Sequence, residues 1–547
     1  MKMVKSLLLG GAAGLLAVAG AQAADLPVKA KPVEYVKVCS LYGQGFFYIP
    51  GTDTCIKIGG WVRYDQYFGN TGGSGSPFIT GATGRNDTGD SFDYGTRART
   101  MLSVDVRTQT EYGTLRAYYR GGFELTTNFV AQGEYYYERA FVQFAGFTFG
   151  KTQSYFDFGA HAWSYAAGYA GAGPDTAAAG RNLVAYTATL GNGVEWTIAA
   201  EDTTSRRGAL WDAGTNSMSL GSFPGPNAWT GVGAQSCAFS SVTSDNNIGN
   251  AAAPFSIASS CATGDYAAQS IPDIVGSLRV DQSWGSAELN GVLHQVRANF
   301  YGNDTQSTIT VGPNQFTGVR PSDVWGWAIL GGIVLNLPWN AGDKFWAEAT
   351  YGQGTPCYVG FCQDAYNGNY LRFDGRNVAA GWALDGVFAN AVGPAVTGLN
   401  GSGILLATNW DVTAAVEHYW TPALRTSLYG SFTSWDPGAQ GNAIMCASPN
   451  GPVRTAAGAA PNYATGPLAG CNYAFEVWAV GSRTIWNPVK NLDVGVEVQF
   501  TQIDQHMDPA RVLFNFGGAG NRAAGLYTPS DEGVLSGMMR VQRNFWP

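Results

Sequence analysis

Charge is scarce in this chain. Only 13% of its 547 residues are Asp, Glu, Lys or Arg, about half the ~25% of an ordinary soluble protein. Beyond the first two dozen residues there is no apolar run long enough to cross a bilayer as a helix, which takes ~18 residues or more. That excludes a helical membrane protein. Histidine is rare, with four copies scattered at positions 161, 294, 418 and 506. There is no basic excess: 32 Lys and Arg stand against 40 Asp and Glu, which argues against a nucleic-acid partner. A coiled coil would be rich in Ala, Glu, Lys and Leu. A disordered chain would be rich in charge and poor in aromatics, yet Trp, Tyr and Phe make up 13% here. The chain does have 74 glycines, about twice the ~7% norm, and a mean hydropathy of only −0.08. These features describe a β-rich protein with many turns. By length it is either about three or four soluble domains or one large barrel.

Residues 1–23 read as a secretory signal peptide. Lys2 and Lys5 precede a short apolar core from Leu7 to Ala19, and Ala21-Gln22-Ala23 forms a small-residue cleavage site. The apolar stretch is short for a retained anchor. Cleavage before Ala24 would take the net charge from −8 to −10. Eight cysteines fit an exported protein, because oxidising compartments favour disulfides. They fall into local pairs, Cys39/Cys55, Cys237/Cys261, Cys357/Cys362 and Cys446/Cys471. Neighbour pairing would close one short loop each at low entropic cost. A zinc site at Cys357 and Cys362 lacks a second ligand pair nearby.

The mature chain alternates in period two. Ala98, Leu102, Val104 and Val106 interleave with Arg97, Arg99, Ser103, Asp105 and Arg107. Similar runs occur at 56–65, 114–125, 410–420, 492–500 and 535–545. Each describes a strand with one apolar and one wet face. Seven tight turns join such runs: Gly113, Gly146, Leu190–Gly193, Trp284–Ser286, Pro338–Gly342, Pro422 and Pro488–Asn491. Between the hairpins lie eight long inserts, 69–93, 125–134, 155–182, 203–272, 297–324, 353–405, 434–473 and 502–532. This alternation predicts an all-β, antiparallel up-and-down barrel of about 16 strands, as in outer-membrane barrels. A soluble sandwich or propeller would not place its short and long connections at opposite ends. Runs of ~10 residues suit tilted spanning strands. Tyr64, Tyr67, Trp327, Trp339, Trp410 and Trp420, near run ends, fit interfacial girdles.

The segment from Pro32 to Tyr67, PVEYVKVCSLYGQGFFYIPGTDTCIKIGGWVRYDQY, resembles the opening of the alphaproteobacterial general porin family, of rhizobial and Brucella type. The segments Arg97–Arg120 and Phe147–Ser154 (FTFGKTQS) are similar to further strands of it. The likeness is strong over the first third of the chain. It implies a 16-stranded barrel, a homotrimer, and a third extracellular loop folded into the lumen. It also implies contact with outer-membrane lipid and lipopolysaccharide, and recognition of a terminal aromatic by the barrel-assembly machinery. Here Phe545 holds the lipid-facing position but Trp546 and Pro547 follow it, so either Phe545 or Trp546 is the candidate signal. The expected organisation is a signal peptide at 1–23, a periplasmic or lumenal segment at 24–54, and the barrel at 55–547.

A pore selects by width and by the charge at its narrowest part. By parity the early strands send Arg63, Arg97, Arg99, Arg120 and Arg139 inward at mid-height, with Lys57, Arg107 and Arg116 toward the periplasmic mouth. Asp65, Asp105, Glu124 and Glu138 are candidate local partners. The insert after the fifth strand is the candidate constriction loop. It carries Asp157, His161 and Asp175; Asp157 and Asp175 would face the basic wall and set up a transverse field, or serve as turn residues. The expected solutes are small, hydrophilic and ionic. No cofactor, metal or catalysis is expected: Asp87, Asp90 and Asp93 do not have calcium-loop spacing, and no Ser/His/acid set is visible. A solute-specific channel and an adhesive surface barrel are the competing readings. A plugged transporter is disfavoured because the first strand begins near Cys55.

Overall fold

The computed structural model describes residues 38–71, 92–126, 134–159, 163–165, 174, 176, 180–203, 206–214, 266–267, 270–298, 308–311, 314–317, 320–361, 369–389, 402–516 and 525–545. Sixteen antiparallel strands close into a barrel. They are β1 (Thr54–Thr71), β2 (Phe92–Thr110), β3 (Gly113–Thr126), β4 (Glu134–Phe144), β5 (Phe147–Thr152), β6 (Arg181–Gly191), β7 (Val194–Glu201) and β8 (Asp273–Gln282). The remainder are β9 (Gly285–Val296), β10 (Val324–Asn336), β11 (Lys344–Gln353), β12 (Thr408–Thr421), β13 (Leu424–Asp436), β14 (Phe475–Trp486), β15 (Leu492–Gln505) and β16 (Glu532–Asn544). Each pairs with its sequence neighbours, and β16 closes on β1 with Trp61 opposite Asn544. The seven expected tight turns are the seven short connections, and the eight inserts are the long ones. Closure leaves no strand edge, so backbone amides and carbonyls need no water inside the bilayer.

Parity sorts the side chains as predicted. Ile58, Val62, Phe68, Leu289, Ile329, Leu428, Val496, Val498 and Leu535 stand exposed on the outer face, where lipid would cover them. Asp65, Asp411, Thr413, Glu497 and Gln499 point inward and are buried. Tyr64, Trp339, Trp410 and Trp420 are exposed, consistent with girdle positions. Tyr67 is a correction: it shares the parity of Asp65 and is buried inside, beside Met538 and the Arg97 guanidinium.

The segment before β1 is held to the tight-turn end of the barrel. The disulfide Cys39–Cys55 joins it to β1 across 16 residues. Phe46 is buried beneath Arg107, 4.9 Å from its guanidinium.

The long connections are more than loops. Those after β7, β11, β13 and β15 build a cap with its own apolar core. One small sheet orders the strands Asn369–Asp374, Asn377–Trp382, Gly525–Pro529, Val512–Phe516 and Val453–Thr455. A second joins Leu405–Leu406, Leu384–Phe388 and Ala209–Asp212. The helix α1 (Gly438–Ala447) packs beside them, and the disulfide Cys446–Cys471 closes its connection. Trp382, Phe361, Leu384, Met445 and Phe514 form the centre of this core. The core continues onto Trp435, Val477, Ile503 and Val534, inward residues at the long-loop ends of β13 to β16. The cap therefore sits in the barrel mouth. Cys357 is also disulfide-bonded; Cys362, Cys237 and Cys261 lie outside the described residues.

Candidate functional site: a constricted lumen

The described residues of the insert after β5 lie inside the barrel. Phe156 and Phe158 pack on inward residues of β6 to β10, among them Leu183, Val292 and Leu330. Gly332 on β10 leaves room for this approach: a Cβ there would stand 2.3 Å from the Phe158 ring. Polar contacts fix the same stretch. Asn290 on β9 donates to the Phe156 carbonyl at 2.9 Å, and the Tyr155 amide donates to Glu201 at 2.9 Å. Further along, Trp163 meets Trp346 on β11, with ring centroids 5.8 Å apart. The Tyr165 amide then donates to Glu497 on β15 at 2.6 Å, and its ring lies 4.1 Å from the Arg540 guanidinium on β16. The insert thus touches the wall from β6 round to β16, the course of a constriction loop. On the tight-turn side of it lies a lumenal cavity of about 620 Å³, lined by Thr148, Thr187, Thr197, Ser277 and Arg279.

Opposite this course stands the basic wall of β1 to β4. Three pairs of arginines are directly opposed in the ladder: Arg63 with Arg99, Arg120 with Arg139, and Arg107 with Arg116. Like charges placed so destabilise a sheet unless they are compensated. The acids supply the compensation. Asp65 accepts from Arg97 at 2.9 Å and Arg540 at 2.6 Å. Arg99 pairs with Glu124 at 2.8 Å and Arg120 with Glu138 at 3.0 Å. Near the tight-turn end Asp105 accepts two-pronged bonds from both Arg107 and Arg116. Two of the four acids each serve two guanidiniums, so the wall keeps a net positive charge. Arg63 donates to Gln542 at 2.8 Å and stacks 4.0 Å from the Trp61 ring. Lys57 donates to the Gln44 carbonyl at 3.2 Å, and Arg139 to the Glu138 carbonyl at 2.9 Å. Parity would have added Arg540, which shares the inward face of β16 with Ser536.

Asp157 is placed differently from the expectation. Its side chain is fully buried and does not face the arginine wall. It accepts from the Thr176 amide at 2.7 Å, from the Thr176 hydroxyl, and from Arg206 of the connection after β7. The other two candidate residues of this loop, His161 and Asp175, lie outside the described residues. Arg206 leads into a second buried cluster that the sequence did not reveal. Its guanidinium donates to the Cys357 carbonyl at 2.7 Å and lies 4.6 Å from the Tyr358 ring. Tyr358 donates to Asp273 at 2.5 Å, and Asp273 pairs with His294 at 2.8 Å. Asp385 in the cap lies 3.6 Å from His294, accepts from the Gly208 amide at 2.9 Å, and accepts from the Tyr266 hydroxyl. Burial raises the Asp385 carboxyl above its ordinary range and the Tyr358 hydroxyl well above its own. Among the described residues no group of three or more His, Cys, Asp or Glu could hold a metal ion.

Residues 25–537 match the family described as the porin subfamily. Porin Omp2a of Brucella melitensis is 38% identical over 224 residues, which is 36% of this chain and 56% of that protein. Porin Omp2b of Brucella suis is 39% identical over 218 residues, 36% of this chain and 54% of that protein. The chain therefore spans about half the length of the curated relatives it matches. Among solved structures, the outer membrane channel DcaP of Acinetobacter baumannii superposes with a TM-score of 0.50 at 14% identity, covering 91% of this chain and 99% of that one. That likeness is one of fold.

Proposed function

Because the chain belongs to the porin subfamily, we propose that it forms a water-filled channel for the passive diffusion of small hydrophilic solutes and ions. Membership points to a channel rather than an enzyme, and the closed barrel is an outer-membrane one. The observation that carries the reading is the constriction loop, which runs through the lumen from β6 to β16 opposite the wall of arginines. A solute passing between them exchanges hydration water for guanidinium, carboxylate and hydroxyl groups. Selection then rests on width and on the charge of the wall. The net positive wall of Arg63, Arg97, Arg99, Arg120 and Arg139 favours anions at mid-height, and Lys57, Arg107 and Arg116 extend it toward the periplasm. The apolar outer face meets lipid and lipopolysaccharide. The protein assembles as a homotrimer, with Phe545 offered to the assembly machinery. Single-channel recording from purified protein in planar bilayers tests the reading: discrete conductance steps are expected, and their absence would overturn it.

The cap favours a second reading, a channel tuned to one class of solute. Its folded core in the mouth restricts entry more than open loops would. Current that saturates with one solute and is blocked by it would decide for this alternative.

A further inference from the structure

We propose that Arg206 is the positioning residue that fixes the constriction loop, so that the cap and the narrowest part of the lumen move as one body. This rests on the channel reading above. Asp157 and Thr176 belong to the two limbs of the constriction loop, and the Asp157 carboxylate holds them together through the Thr176 amide and hydroxyl. Thr176 in turn accepts from the Ser154 amide at 2.9 Å. The neck of the loop is therefore closed on Asp157. The remaining carboxylate oxygen takes Arg206, which comes from a different connection. Both side chains are almost wholly excluded from solvent, at 1% and 0% exposure.

A loop that only needed to lie in the lumen would not require this pair. Its body is already fixed to the wall by Asn290, Glu201 and Glu497. Burying a guanidinium and a carboxylate carries a desolvation penalty that good geometry only offsets. What the pair adds is a link. From Arg206 the contacts run to Cys357 and Tyr358, through Asp273 and His294, and into Asp385 beside Gly208 and Tyr266. Asp385 lies on the cap strand Leu384–Phe388, inside the cap sheet that also contains Ala209–Asp212. Arg206, Cys357 and Tyr358 lie in the connections after β7 and β11 that help build the cap, while Asp273 on β8 and His294 on β9 tie the same buried cluster to the wall, so a displacement of the cap reaches the neck of the constriction directly through Arg206.

The test is single-channel recording on Arg206→Gln, Asp157→Asn, the double variant, Arg206→Lys and wild type, each first shown to give the heat-modifiable barrel band. Arg206→Gln and Asp157→Asn should each raise the frequency of brief closures at least tenfold and shift the reversal potential in a salt gradient. The double variant should match the singles, because both remove one link. Arg206→Lys should restore part of the quiet open state. A conducting wild type beside an Arg206→Gln channel of unchanged conductance and closure frequency would overturn the proposal alone; so would additive effects in the double variant. A wild type that does not conduct would instead overturn the channel reading. Should Arg206→Gln not assemble, the double variant Arg206→Met, Asp157→Asn removes the ion pair without stranding a charge, and an unchanged current there would equally overturn the link.

Discussion

The ring of Phe545 lies against Gly60 so closely that a Cβ on that glycine would stand 2.7 Å from the phenyl edge and 2.0 Å from the Met101 carbonyl oxygen. The Phe545 amide also donates to the Gly60 carbonyl at 2.9 Å. This contact sits on the seam where β16 closes on β1. Gly60→Ala would force the ring and the β2 backbone apart, and overpacking of this kind costs about 1–3 kcal/mol. The variant should convert to the unfolded gel band at a lower temperature than wild type, while Gly51→Ala, which would meet nothing within 4 Å, gives a smaller shift tied to its turn conformation.

Phe545 is also 43% exposed on the outer face, one register step beyond the Trp61–Asn544 pair. Trp546 lies outside the described residues. If the assembly machinery reads the residue on the lipid-facing register, Phe545 is the signal although it is not terminal. Removing Trp546 and Pro547 should leave the yield of assembled barrel within about twofold of wild type, on the order of 0.4 kcal/mol. Trp546→Ala should do the same and Phe545→Ser should lower assembly strongly. Loss of assembly on Trp546→Ala alone would assign the signal to Trp546. Outer-membrane fractionation with detection of the folded band provides the measurement.

The arginine wall makes a prediction of sign. Arg99 and Arg120 neutralise Glu124 and Glu138. Replacing both with Ala removes two cations and leaves two carboxylates in the lumen without their partners. The reversal potential in a salt gradient should therefore move toward cation preference, by at least about twofold in permeability ratio. An unchanged reversal potential would place the narrowest part of the lumen elsewhere.

The barrel was legible because lipid and water impose opposite demands on alternate residues. Ile58, Val62 and Tyr64 against Arg63 and Asp65 is the alternation of a strand between two unlike environments, and short turns at one end with long inserts at the other set it apart from a soluble sheet. Turns such as Gly146 and Pro422 marked the short end. The rule holds at Tyr67 as well: its residue type and its place near a run end suggested a girdle aromatic, yet its parity already put it inside with Asp65. The cap was not legible, because its core joins Trp211, Phe361, Trp382 and Phe514 from connections far apart in the chain. No single segment of it shows a period. Asp157 was found as a member of the constriction loop, but its partner was not, since Arg206 lies 49 residues away in an insert without strand pattern. The charge of Asp157 was visible in the sequence; the direction of its side chain was decided by packing.

The cap should be separable from the barrel in stability. Its helix α1 and the following connection are closed by Cys446–Cys471 over 25 residues. Cys446, Met445 and Ile444 are buried in the cap core, and the Leu468 amide donates to the Cys446 carbonyl. Opening a loop of this length relaxes a restraint worth about 3 kcal/mol in the chain-entropy account. The strand ladder of β13 to β14 does not depend on it, because those strands pair directly from Leu424–Trp486 to Trp435–Phe475. The double variant Cys446→Ser, Cys471→Ser should therefore keep the barrel band and its melting temperature while residues 437–474 become sensitive to protease. Equal protection in the variant would show that the apolar core alone holds the cap. Loss of the barrel band would show that cap and barrel fold as a single unit.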